Sequence, residues 1–92
     1  MYLHVGNNQN IRIKSILGIF DADTATVSAV TKKYLSEADR EGLVSFVTEE
    51  IPKSFVLYKD SKGKYQICFS KLSSTSLMGR AEQISRAFRS DD

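Results

Sequence analysis

The sequence predicts an α+β fold, a small antiparallel sheet of about five strands with two helices, in a single domain over residues 1–92. Three observations predict it. Two alternating runs, Tyr2-Leu3-His4-Val5 and Asn10-Ile11-Arg12-Ile13-Lys14, flank the turn residues Gly6-Asn7-Asn8-Gln9, the pattern of a β-hairpin. A second pair, Ser54-Phe55-Val56-Leu57-Tyr58 and Tyr65-Gln66-Ile67-Cys68-Phe69, flanks Asp60-Ser61-Lys62-Gly63 in the same way. Two other stretches carry apolar residues at helical spacing: Val30, Tyr34, Leu35 and Ala38, then Leu77, Ala81, Ile84 and Phe88.

In the first hairpin the alternation puts Ile11 and Ile13 on one face, Arg12 and Lys14 on the other. Ile16-Leu17-Gly18-Ile19-Phe20 is apolar on both faces, which predicts a central or covered strand, with Gly18 marking a bulge or a close backbone approach. Residues 21–27 read as a turn-rich connection to a helix capped by Ser28, with Val27 as a hydrophobic staple and Gly42 as its stop. Leu43-Val44-Ser45-Phe46-Val47 reads either as a short strand or as an extended cover. Pro52 keeps the polar stretch Thr48-Glu49-Glu50-Ile51-Pro52-Lys53 from being a central strand. Ser73-Ser74-Thr75-Ser76 supplies N-cap residues for the last helix. No repeat or low-complexity tract divides the chain.

Composition narrows the function classes. A domain of 92 residues buries roughly 60–65% of its unfolded surface, so it gains from a staple or a partner subunit. The single cysteine, Cys68, forbids an intrachain disulfide, and its apolar neighbours Ile67 and Phe69 make it a small core residue. One His and one Cys do not make a protein-only zinc site. Self-association is the staple left. The first residues lack the charged and apolar regions of a leader, and no run approaches the roughly 20 apolar residues of a membrane span. The expectation is a cytoplasmic protein without a membrane partner.

No catalytic arrangement is visible, so the sequence predicts a non-enzyme with no cofactor. His4 stands alone, and neither a Ser-His-Asp nor a Cys-His constellation forms around it. Asp21 and Asp23 fit a turn better than a cation loop, which needs further ligands and a Glu at its twelfth position. Lys62-Gly63-Lys64 is a hairpin tip rather than a phosphate loop. The net charge is only +2, but its distribution is uneven. Residues 52–80 carry Lys53, Lys59, Lys62, Lys64, Lys71 and Arg80 against Asp60 alone. Candidate phosphate contacts are therefore Arg12 and Lys14, about 7 Å apart on one strand face; Lys53, held beside Pro52; and Lys59, Lys62 and Lys64 on the protruding hairpin.

The segments Met1-Tyr2-Leu3-His4-Val5-Gly6, Ile16-Leu17-Gly18-Ile19-Phe20-Asp21, Pro52-Lys53-Ser54 and Leu72-Ser73-Ser74-Thr75-Ser76-Leu77, with Arg80-Ala81, resemble the RemA/RemB family of extracellular matrix regulatory proteins. The resemblance runs from the first residue to about Phe88. It implies regulation of biofilm-matrix genes, and a ring-like homo-oligomer in which basic residues repeated around the ring contact the DNA backbone. Two readings of function follow. In one the chain binds DNA phosphates as a homo-oligomer, through Arg12, Lys14, Lys53 and the Lys59–Lys64 hairpin. In the other the same oligomer is an adaptor that docks proteins, a reading favoured by Glu49-Glu50 and the small net charge. An RNA-binding module would need the interleaved aromatic and basic motif of an RRM sheet, which is absent.

Overall fold

The structure, a computed structural model, describes residues 1–6, 8–35, 44–46 and 51–87, of which 44–46, 86 and 87 are described as backbone only. Strand β1 (Tyr2–Gly6) pairs antiparallel with β2 (Gln9–Arg12). Gly6 at φ 112° and Asn8 at φ 60° take the left-handed backbone of this tight connection, a region open to glycine and to asparagine. The second strand is shorter than its alternation predicts. The Ile13 N–H still donates to the Met1 carbonyl at 3.0 Å, but Ile13–Ser15 then form a 3₁₀ turn. The chain must leave the hairpin layer there and enter the main sheet, and a 3₁₀ turn makes that change of direction in three residues. Lys14 therefore sits in the turn and does not share a strand face with Arg12.

The main sheet has the order β3-β5-β6-β4, built from β3 (Ile16–Asp21), β4 (Val44–Phe46), β5 (Ser54–Lys59) and β6 (Tyr65–Ser70). Its β3-β5-β6 part is antiparallel, and β4 adds to β6 in parallel. Thus the expected single antiparallel sheet is two sheets, one of them mixed. The tight Asp60–Lys64 turn gives β5 to β6, β3 takes the other side of β5, and β4 joins the outer edge of β6. Among the described residues β3 is an edge strand with both faces packed against the cores, the covered rather than the central form of what its sequence predicts. The expected bulge is present: the register shifts between Ile16 and Gly18.

Helix α1 (Thr24–Tyr34) begins four residues before the expected Ser28 cap. Asp23 caps it instead, its carboxylate accepting from the Ala25 N–H at 3.4 Å while its carbonyl accepts from the Val27 N–H at 2.9 Å. Leu35 is already extended; the expected continuation to Ala38 and Gly42 lies outside the described residues. Helix α2 (Ser74–Ala87) starts where the serine cluster predicts, with the Ser73 hydroxyl accepting from the Ser76 N–H at 3.1 Å. Phe88 lies outside the described residues.

The alternation of the strands builds two cores, one on each face of the main sheet. Phe55, Leu57 and Ile67 pack with Val30 and Leu35 on one side, where the Phe20 and Phe55 rings stack at 5.1 Å. Val56 and Cys68 meet Leu3, Val5, Ile11 and Leu77 on the other, sealing the β1–β2 hairpin and α2 onto the sheet. Cys68 is fully buried, as its neighbours predict. Two serines finish the join. Ser70, with no exposed surface, donates to the Val5 carbonyl at 2.7 Å and accepts from the Leu72 N–H at 3.0 Å. Ser54 donates to the Leu72 carbonyl at 2.6 Å. Buried hydroxyls paired in this way avoid a desolvation penalty of roughly 1–3 kcal/mol each.

Candidate nucleic-acid interface

The strand registers give the main sheet two distinct ends. At one, Asp21 pairs with Ser54 and Ser54 with Ser70. At the other, Ile16 pairs with Tyr58 and Lys59 with Tyr65. Arg12 ends β2 and Lys14 lies in the three-residue turn that leads to Ile16, and the hairpin bearing Lys59, Lys62 and Lys64 follows Tyr58, so these five cations share one end of the molecule. All five side chains are exposed.

Each cation is placed by a local device. Arg12 and Lys14 flank a groove of about 240 Å³ completed by Met1, Ile13, Ile84 and Ser85. Lys59 lies against the Tyr65 ring, its Nζ 5.0 Å from the centroid. The hairpin tip is held by Asp60, whose carboxylate accepts from the backbone N–H groups of Lys62 at 2.8 Å and Lys64 at 2.9 Å, and from the Gln66 amide at 2.9 Å. The Lys64 N–H bond, then the Gln66 bond, hold the Asp60 carboxyl below its ordinary value of 3.8. Gly63 at φ +80° closes the turn, a conformation side-chain-bearing residues rarely adopt. The one acid of the hairpin thus shapes the tip that presents Lys62 and Lys64.

Lys53 stands apart. It precedes the first residue of β5 while Lys59 is its last, which separates the two by roughly 20 Å at about 3.4 Å per residue. Its backbone is clamped, the N–H donating to the Ser70 carbonyl at 2.9 Å and the carbonyl accepting from the Ala22 N–H at 3.1 Å, while its side chain is exposed. Around it are Asp21, Asp23 and the start of α2, where the Ser74 hydroxyl donates to the Asp21 carboxylate. This end carries both signs of charge.

Two further lysines belong with the basic end. Helix α1 starts at the Asp23 end and runs until the Tyr34 ring lies 5.3 Å from that of Tyr65, so Lys32 and Lys33 of its last turn approach the same end as the hairpin. Lys33 Nζ lies 5.3 Å from the Tyr34 centroid. In the sequence these lysines read only as the outer side of a helix. The available signal was the aromatic pair Tyr34 and Tyr65, which tells where the helix ends relative to the hairpin.

His4 is exposed on β1, Nδ1 lying 3.0 Å from Asn10 Oδ1, and its carbonyl accepts from Arg80 Nη1 at 3.4 Å. Among the described residues no three His, Cys, Asp or Glu side chains gather as metal ligands would, and no helix is long and apolar enough to cross a membrane. No protein-family model matches the chain, and no curated protein matches it either.

Proposed function

We propose that this chain is a non-enzymatic regulator of extracellular-matrix gene expression that binds DNA phosphates as a homo-oligomer. The observation that carries the reading is the gathering of Arg12, Lys14, Lys59, Lys62 and Lys64, with Lys32 and Lys33, at one end of the sheet. An internally braced hairpin, with a groove flanked by cations at the same end of the sheet, suits a phosphate backbone, and among the described residues neither helix is arranged with a partner as a helix-turn-helix reader. The resemblance to the RemA/RemB family supplies the regulatory context. Copies of the basic end repeated in an oligomer would add their phosphate contacts.

The test is a salt titration of duplex binding. Log affinity should fall against log salt with a slope near −0.9 for each phosphate contacted. Lys62→Glu and Arg12→Glu should each weaken binding and flatten that slope. Absence of wild-type binding at about 50 mM salt, where counterion release favours the complex most, would remove the DNA reading.

One observation favours the adaptor reading. Ile51 is 90% exposed next in sequence to Pro52, which with Ala22, Thr24, Val27, Ser28 and Phe69 lines a largely apolar hollow. Ile51 and the hollow taken together as one apolar patch would be the surface a protein partner covers. Glu49 and Glu50, which prompted the same reading in the sequence, lie outside the described residues.

A further inference from the structure

We infer that β3 is a subunit junction, pairing antiparallel with β3 of a second copy about a two-fold axis. This rests on the reading that the chain self-associates and names the surface that does it. The first observation is the position of the strand. Ile16-Leu17-Gly18-Ile19-Phe20 is apolar on both faces, and among the described residues β5 is the only strand beside it. Both faces of β3 are already covered: Ile16 and Ile19 pack into the core beneath the hairpin and α2, and Phe20 packs into the core beneath α1. What the described residues leave open is its outer edge, together with Leu17, 51% exposed.

Beyond the bulge at its start, that edge carries no charge or proline guard. No lysine, proline or inward-pointing charge interrupts residues 16–20, and such edges invite another strand. The bulge is confined to Ile16–Gly18, and Gly18–Asp21 keep a regular register with β5, so their outward N–H and C=O groups are set for pairing. Charge selects the orientation and the occupant. Lys14 lies just before β3, while Asp21 ends it and Asp23 follows. Antiparallel pairing of two copies brings Lys14 of each toward Asp21 and Asp23 of the other, twice per junction; parallel pairing sets like against like. A second copy of this chain is thus the complement of this edge, and the contact is isologous.

Three measurements test it. Light scattering at micromolar concentration should show an oligomer for wild type, and Leu17→Lys should raise the dissociation constant at least tenfold with an unchanged circular dichroism spectrum. A spin label on Lys14→Cys, mixed with isotope-labelled wild type, should broaden the amides of Ala22 and Asp23 in the second copy. A monomeric wild type would remove self-association and this junction together. An oligomer indifferent to Leu17→Lys, or broadening confined to Val44–Phe46, would overturn the β3 junction while self-association stood.

Discussion

Gly18 lies directly beneath the ring of Phe20: a Cβ on residue 18 would stand 2.6 Å from both Cε2 and Cζ of that ring. The ring has little room to retreat, because it stacks on Phe55 in the core under α1. Gly18→Ala should therefore cost about 1–3 kcal/mol, the usual penalty of overpacking. Adding Phe20→Leu should recover part of that loss, a coupling visible in a double-mutant cycle of denaturant melts.

Leu77 and Ile84 lie on one apolar stripe of α2 but differ in burial. Leu77 has no exposed surface and touches the hairpin core, whereas Ile84 is half-buried at the rim of the groove beside Met1 and Ile13. Leu77→Ala should cost about 2–5 kcal/mol and Ile84→Ala clearly less. Chemical denaturation of the two variants gives the order directly.

Asp60 makes the hairpin tip sensitive to acid. Its folded carboxyl titrates below the ordinary 3.8 because the Lys64 N–H and the Gln66 amide favour the charged form. A depressed carboxyl contributes stability that is present above the unfolded value and lost as pH falls through the folded one. Amide exchange at Lys62 and Lys64 should accordingly lose protection as pH drops below about 4. In Asp60→Asn that dependence should disappear.

Lys53→Glu should preserve the fold, since only the backbone of Lys53 makes the clamp to Ser70 and Ala22. Its effect on duplex affinity should be smaller than that of Lys62→Glu, because Lys53 lies at the mixed-charge end of the sheet. Side-by-side titrations at one salt concentration decide between the two. A larger loss from Lys53→Glu would place the contact surface at the Asp21 end.

Much of the fold was legible from local pattern. Both hairpins, the serine-capped last helix, the bulge at Gly18 and the buried Cys68 each follow from a few neighbouring residues. What local pattern missed depended on distant partners. Nothing near Ser28 shows that Asp23 takes the cap first, since both are good cap residues. An apolar strand such as Ile16–Phe20 reads as central or covered alike, because the pattern reports buried faces and not how many strands lie beside it. The candidate cations were legible as residues but not as a surface. Grouping Arg12 and Lys14 with Lys59–Lys64, separating Lys53 and adding Lys32 and Lys33 all require the strand registers and the run of α1.

The pairing of Ser70 with the Val5 carbonyl, and of Leu77 with Leu3 and Val5, has a consequence for synthesis on the ribosome. The first strand made must wait for nearly the last elements before its core can close. At about 5–20 residues per second, that delay is roughly 3–13 s. Throughout it the apolar sides of the nascent hairpin and of Ile16–Phe20 stand open together, without the layers that later cover them. A stretch of this kind is where a chaperone would bind a growing chain. It is also where a stalled or truncated product, lacking Leu77, would cling to others of its kind.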